Sequence, residues 1–444
     1  MRPSTRIRST IMRLLASDFV LQRRRAKGRK QREAQGLDPV VYYFHQVDDP
    51  YSFIMAQQLT RFADIASVRI KPFLVSDPAA PFKGDAKRFD AWATADAANI
   101  APFFGEALPI ASGAESSRQP NDTLREAAEA ALSPLLEADL SIFTAEAQRI
   151  GLALWRHHSL LKPSLQERAH AETCIAAGDS LRASLGHFQG GTLYFDGEWY
   201  WGVDRLPLLL ARLKEEGHSQ ASVNDFDIYA AGSIRPLAVS SAVNHNITLE
   251  YFPSLRSPYT AVGHSAVEDL VARSHVALNL RPVMPMLMRG VTAPQPKQRF
   301  ILSDSVREAR AKGIAFRNFV DPFGEPVRRG LALFPGARAQ GKGMAFIGAY
   351  LNAAFSQGID IDSKRGLRQV VANAGLDWQA TVDHPDNANW QHLLDANVNS
   401  MLQAGLWGVP SFRVSSPGEP DFCCWGQDRI WRVEHELARR SAKP

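Results

Sequence analysis

Few side chains in this sequence could do covalent chemistry, and their spacing narrows what that chemistry is. Cysteine occurs three times, at Cys174, Cys423 and Cys424. An odd, sparse count with no C-x-x-C pair argues against a disulfide framework and against a dithiol redox centre, and a reducing compartment such as the cytoplasm is the simplest home. Cys423 and Cys424 are neighbours on a predicted strand, where successive side chains point to opposite faces, so they form no simple redox pair. Twelve histidines are scattered, and His157-His158 lacks the H-E-x-x-H or C-x-x-C companion that a metal site would use. Two further groups stand at strand-to-helix junctions: Ser257 and Asp49 each precede Pro-Tyr. Serine in that place caps a helix. A buried carboxyl such as Asp49 could be tuned toward a neutral pKa and act as acid or base.

The elements that carry these two junctions repeat along the chain. Val41-Tyr42-Tyr43-Phe44 aligns with Leu249-Glu250-Tyr251-Phe252, each a short β-branched and aromatic strand. At equal distance each is followed by the Pro-Tyr turn and an apolar-periodic helix, residues 53–62 and 261–271. A second strand follows, over 68–73 and 278–283, so each copy predicts a right-handed β-α-β unit with parallel strands. Alanine-rich helical patterns fill the middle of each copy, 123–149 and 343–374. Each then closes with two short strands and a helix. The motif Trp201-Gly202-Val203-Asp204-Arg205 reappears there as Trp425-Gly426-Gln427-Asp428-Arg429. Internal repetition at this scale marks a tandem duplication, and four short strands with a helical block inserted midway is a thioredoxin-like layout. The expected class is α/β, two tandem thioredoxin-like domains. Their boundaries are a basic extension at 1–37, domains at 38–216 and 227–440, and a polar, glycine-bearing linker at 217–226.

At 444 residues the chain suits two domains of roughly 200 residues. Apolar residues are 45% and charged residues 22%, the balance of a packed globular protein, and no run approaches the roughly 18 apolar residues of a membrane span. The net charge of +5 comes from the arm: residues 1–33 hold eleven basic and two acidic residues. Taking these from 51 basic and 46 acidic leaves 40 and 44, so the body is slightly acidic and nucleic acid is not an expected partner. In the arm, Ile7, Ile11, Leu14 and Leu15 fall at helical spacing. An organelle transit helix, a membrane-surface helix and an ordinary packed helix all fit that pattern.

The second copy resembles the 2-hydroxychromene-2-carboxylate isomerase and kappa-class glutathione transferase branch of the DsbA-like thioredoxin superfamily. The likeness rests on Ser257-Pro258-Tyr259, Leu280-Arg281-Pro282-Val283, Gly408-Val409-Pro410-Ser411-Phe412 and Trp425-Gly426-Gln427-Asp428-Arg429. It implies glutathione as cofactor, with Ser257 as the catalytic group beside the glutathione sulfur. Physically, a thiol of pKa near 8.5 needs a hydrogen-bond donor and a positive helix end to ionise at neutral pH. The resemblance also implies a cis-proline at Pro410, with Val409 offering its backbone to the glutathione peptide. Gln427 and Asp428 would receive the γ-glutamyl end at a helix N-terminus, although Asp428 could merely cap that helix. Lys297 would reach the glycyl carboxylate; the loop before it, Arg289-Gly290-Val291-Thr292-Ala293, is shorter than the family's and lacks its asparagine.

The first copy has Asp49 where the second has Ser257, and Gly191 where the second has Pro410. A carboxylate beside a sulfur repels a thiolate, so this copy reads as a structural or regulatory partner. The resulting expectation is a glutathione-dependent isomerase or transferase acting on an electrophilic, aromatic-derived small molecule through the second domain. Two other readings stay open: a non-catalytic tandem scaffold or binding protein, and a thiol-disulfide oxidoreductase. A fused duplicate could be a pseudo-dimer within one chain, or the chain could pair as a homodimer.

Overall fold

A computed structural model describes residues 2–109, 120–221 and 244–442. The chain divides into two compact units. The first comprises Leu21–Ser233 with Ala293–Phe300, and the second Met1–Val20, Ile234–Thr292 and Ile301–Pro444. Most of the 217–226 linker and the first part of the 227–440 domain lie outside the described residues.

The first unit is built on a four-stranded sheet of β1 (Val40–His45), β2 (Arg69–Leu74), β3 (Thr192–Phe195) and β4 (Glu198–Trp201), in the order β2-β1-β3-β4. β1 runs parallel to β2 and antiparallel to β3. Val41, Tyr43 and Phe44 on β1 are fully buried, as a central strand covered on both faces requires. Pro72 lies in β2, the edge strand, where a missing N–H costs least. The second unit repeats that order and those directions with β5 (Asn244–Phe252), β6 (Val276–Leu280), β7 (Ser411–Ser416) and β8 (Glu419–Trp425), as β6-β5-β7-β8. Tyr251, Phe412, Val414, Val433 and Leu437 pack its core.

The helices after β1 and β5 span Pro50–Ala66 and Pro258–Ser274, several residues longer at both ends than their apolar periodicity indicates. Their starts are set by capping: Asp49 accepts from the amides of Tyr51 and Ser52, Ser257 accepts from that of Thr260, and proline fills the first helical position of each. Left-handed residues, Ser67 at φ 52° and His275 at φ 51°, end them.

The alanine-rich stretches are not continuous helices. In 123–149 the chain forms Asp122–Leu132, a 3-10 turn at Ser133–Leu135, and Leu140–Trp155. Pro134, inside that turn, has no N–H to continue an α-helical ladder. In 343–374 the helix Gly343–Asn352 ends in a π turn closed by Gly358 at φ 69°, and Ser363 caps a new helix at Lys364–Asn373. A hydrophobic stripe cannot register such breaks, because the apolar period resumes after each.

The basic extension folds as two helices, Pro3–Leu15 and Asp18–Ala34. From Leu21 on, the second packs within the first unit through Leu21, Arg25, Gly28 and Arg32. Arg25 binds Glu198 at 2.8 Å, and Arg32 binds Asp196 at 3.0 Å. A Cβ on Gly28 would lie 2.5 Å from the Asp196 carbonyl carbon, too close for any real contact. Gly28→Ala is therefore expected to lift this helix from the turn at 196–197 and cost about 1–3 kcal/mol, read as a lower urea midpoint for the tryptophan fluorescence of the first unit. An unchanged midpoint would show that the helix is not held there.

Candidate functional site

In the second unit β5 delivers the chain to Ser257, and the turn before β7 brings Val409 and Pro410 to the same place. The Ser257 hydroxyl is used twice. It accepts from the Thr260 N–H at 3.1 Å and donates to the Val409 carbonyl at 3.3 Å. The second bond is long, at the weak end of the usual range, so the proton can be redirected to a better acceptor. The Val409–Pro410 peptide is cis. Ser257, Val409 and Pro410, separated by about 150 residues of sequence, are thus brought together at the N-terminus of a 17-residue helix whose dipole favours negative charge.

The wall behind this turn is aromatic. Trp407 and Trp425 meet edge to face with centroids 5.0 Å apart, and a Cβ on Gly408 would fall 1.9 Å from the Trp425 ring. No side chain other than hydrogen fits at Gly408 while Trp425 keeps its place. Gly408→Ala is expected to displace the Trp425 indole and cost about 1–3 kcal/mol; a crystal structure of that variant with Trp425 unmoved would sink this account.

Gln427 and Asp428 lie in the 3-10 turn Gln427–Arg429 that leads into the helix Ile430–Ser441. Gly426, at φ 117°, permits the turn. The Gln427 side chain packs against Gly263, and its amide donates to both Glu308 oxygens at 3.0 and 3.1 Å, so it is buried in an internal bond. Asp428 lies 3.8 Å from the neighbouring Arg429 guanidinium. Residues Ala293–Phe300 group with the first unit, and the buried Lys297 ammonium donates to the Phe82 carbonyl at 2.5 Å. Burial lowers its pKa to about 8. Lys297 and Ser257 thus belong to different units.

One cation that the sequence reading passed over belongs to the second unit. Arg289 donates to the Trp407 carbonyl at 2.6 Å and to the Met284 carbonyl at 3.0 Å, two carbonyls and no carboxylate. Burial lowers its pKa to about 10, which leaves it charged at neutral pH. The signal in the sequence was the shortened loop that begins at Arg289, read there only as a departure from the family.

Thiols are poorly placed. Cys424 is buried and paired in the ladder with Phe412; Cys423 faces the other side of β8, and burial raises its pKa to about 11. Neither forms a disulfide, and Cys423 stays a thiol at neutral pH. Among the described residues no cluster of three or more histidine, cysteine or acidic side chains could hold a metal.

The first unit presents the same frame with other groups. Thr192 pairs with Phe44 as Ser411 pairs with Phe252, which sets Gly191 and Pro410 one residue before equivalent positions. Their carbonyls accept from the N–H groups of Gly202 and Gly426 at 3.2 and 2.9 Å. Asp49 accepts from Ser52 Oγ at 2.7 Å as well as from its two capping amides. Burial still raises its pKa to about 6. A small cavity of about 150 Å³ adjoins it, lined by Asp48, Asp77, Asp90 and Lys83 among others.

A family model described as a DSBA-like thioredoxin domain matches residues 248–438, so the C-terminal half holds a DsbA-like thioredoxin domain. Solved structures similar to the chain include a 2-hydroxychromene-2-carboxylate isomerase, 18% identical over 44% of this chain and 96% of that one, TM-score 0.34. Another is the cytosolic disulfide reductase DsbM from Pseudomonas aeruginosa, 19% identical over 44% of this chain and 100% of that one, TM-score 0.35. The same reductase with GSH matches at 18% identity over 44% of this chain and 99% of that one, TM-score 0.33. No curated protein sequence matches the chain. No described helix is long and apolar enough to cross a membrane.

Proposed function

We propose that the second unit is a glutathione-dependent isomerase or transferase acting on an electrophilic, aromatic-derived small molecule, with Ser257 as its catalytic residue. The observation that carries this reading is the convergence of a redirectable hydroxyl, a helix N-terminus and the Val409–Pro410 turn in one place, with no thiol to compete. Glutathione bound there supplies a thiolate that can add reversibly to a conjugated carbon, permitting bond rotation, or conjugate to it outright. Ser257 Oγ turns its proton from the Val409 carbonyl to the sulfur, and the helix end stabilises the negative charge. The Val409 backbone aligns the peptide. Asp428, in the Gln427–Arg429 turn, pairs with the γ-glutamyl ammonium; Gln427, held by Glu308, keeps the turn in position. Lys297 and Arg289 both donate only to backbone carbonyls, but Arg289 belongs to the same unit as Ser257 and is the better anchor for the glycyl carboxylate.

Calorimetric titration of the full chain with reduced glutathione tests this reading. Binding is expected for wild type, and Arg289→Ala should weaken it by ~10–100-fold, the range of a lost charged hydrogen bond, while Lys297→Ala leaves it unchanged. No heat of binding, together with no thiol-dependent turnover of an electrophile, would leave a non-catalytic scaffold as the better description.

We further infer that the first unit, within 38–216, is a degenerate thioredoxin-like copy of the domain at 227–440. Identical strand order, matching register at Thr192 and Ser411, and equivalent caps at Asp49 and Ser257 support a duplication. With Asp49 and Gly191 in place of Ser257 and Pro410, that copy is a partner rather than a second glutathione site. The fused pair would act as a pseudo-dimer in a reducing compartment.

A further inference from the structure

Large apolar side chains concentrate on the outside of one short segment of the second unit. On the helix Pro3–Leu15, Ile7 is 62% exposed, Ile11 51% and Leu14 56%; Leu15 is also exposed, and Phe19 just beyond is 69% exposed. At i, i+4 and i+7 the first three form one stripe. The opposite stripe, Thr5, Ser9, Met12 and Ala16, is the one that docks. Ala16 and Met12 join the core of the second unit, and Thr5 and Ser9 are buried. Asp321 N–H donates to Ser9 Oγ at 2.9 Å, Arg8 binds the Asp321 carboxylate at 2.6 Å, and Arg13 donates to the Phe319 carbonyl at 2.8 Å. The helix is thus held by a mixed stripe and by hydrogen bonds and ion pairs, with its larger apolar side chains left outward.

The charge around the ridge says what covers it. At 100° per residue, Arg2, Arg6 and Arg13 run along one border and Arg8 along the other, and residues 2–17 contain no acidic side chain. Asp18, the first acidic residue, is paired with Arg310. Arg2 is paired with Asp362, but Arg8 shares Asp321 with Arg256, and among the described residues no carboxylate is paired with Arg6 or Arg13, so the borders stay net positive and a second copy meeting this face across a twofold axis would set like charge against like charge. An apolar ridge flanked by cations complements a surface that is apolar within and anionic at its edge.

We propose that this face of Pro3–Leu15, with Phe19, is a peripheral membrane-binding surface that takes anionic phospholipid, the ridge entering the headgroup boundary and the arginines meeting the phosphates. This inference is independent of the glutathione reading.

Flotation of the full chain with phosphatidylcholine vesicles, with and without phosphatidylserine, tests it. Wild type is expected to float with the anionic vesicles at least ~10-fold more than with pure phosphatidylcholine, and to be released as salt rises. Ile7→Asp with Ile11→Asp should lower binding by ~10-fold or more. Ile7→Ser with Leu14→Ser, which tax the helix less, should lower it in the same direction. Leu161→Asp with Leu165→Asp, leucines of the first unit that are more exposed still, should change nothing. The proposal is overturned if wild type does not float, if it prefers neither lipid, if both ridge variants bind as wild type does, or if sedimentation velocity shows a lipid-free dimer that the ridge variants abolish.

Discussion

Ser257→Ala is expected to lower glutathione-dependent turnover by about 10²-fold while changing glutathione affinity little. The hydroxyl is one donor aimed at a developing or resident anion, and loss of one such donor commonly costs ~10²–10³ in rate. Alanine also removes the cap on Thr260 N, worth about 1 kcal/mol of helix stability. The two effects separate by measurement. Thiolate absorbance of bound glutathione, followed against pH, should show its pKa rising in Ser257→Ala, whereas a merely weakened cap lowers the unfolding midpoint and leaves that pKa alone. Ser257→Thr keeps a hydroxyl and a capping oxygen and should restore most of the turnover. Full activity in Ser257→Ala, or loss of activity with an unshifted thiol pKa, would remove Ser257 from the chemistry.

What the sequence could say about this site divides by the range of the interactions involved. The two Pro-Tyr junctions were legible because capping is local: a Ser or Asp, a proline and an apolar stripe fall within a few residues. The parallel strand pair of each β-α-β unit was legible from a rule that is also local. Lys297 illustrates the opposite case. Nothing near it in sequence indicates that Ala293–Phe300 groups with the first unit, where Phe300 packs with Phe44 and Trp199. A lysine with no acid nearby reads as available until its carbonyl partner, Phe82, 215 residues away, is seen.

Arg289 and the helix Pro3–Leu15 carry the same lesson. The guanidinium looked like part of an altered loop, because its partners, the carbonyls of Trp407 and Met284, are backbone atoms that no side-chain motif advertises. For the N-terminal helix, periodicity located the apolar stripe but not the side it faces. That choice is made by Asp321, Asp362 and the Phe319 carbonyl, which hold Arg8, Arg2 and Arg13 and turn the isoleucines outward. Charges at the ends of long side chains decided the orientation, and hydrophobic pattern alone would have chosen the reverse.

Asp49 should make the first unit less stable, relative to an Asp49→Asn variant, as the pH rises through about 6. Burial raises its carboxyl from the usual 3.8 to about 6, against the opposing effect of hydrogen bonds from Ser52 and Tyr51. The native state therefore binds this proton more tightly than the unfolded chain does. Protonation favours folding, so the stabilisation is complete below about pH 4 and is lost as pH climbs past the native pKa. At 1.36 kcal/mol per pKa unit, a shift of this size corresponds to about 3 kcal/mol across that window. Asp49→Asn keeps an oxygen to cap Tyr51 and Ser52 but carries no proton to lose. His45, pushed down to about 3 by burial, and Glu129, pushed up to about 7, titrate in both proteins, so the reading is the difference: the variant's stability relative to wild type should rise through this window to as much as ~3 kcal/mol above pH ~7. Hydrogen exchange of the Pro50–Ala66 amides at several pH values measures the stability, and the Asp49 carboxyl carbon shift measures the titration directly. A carboxyl that titrates near 4, or an asparagine variant less stable than wild type at every pH, would show that the caps, rather than burial, govern this residue.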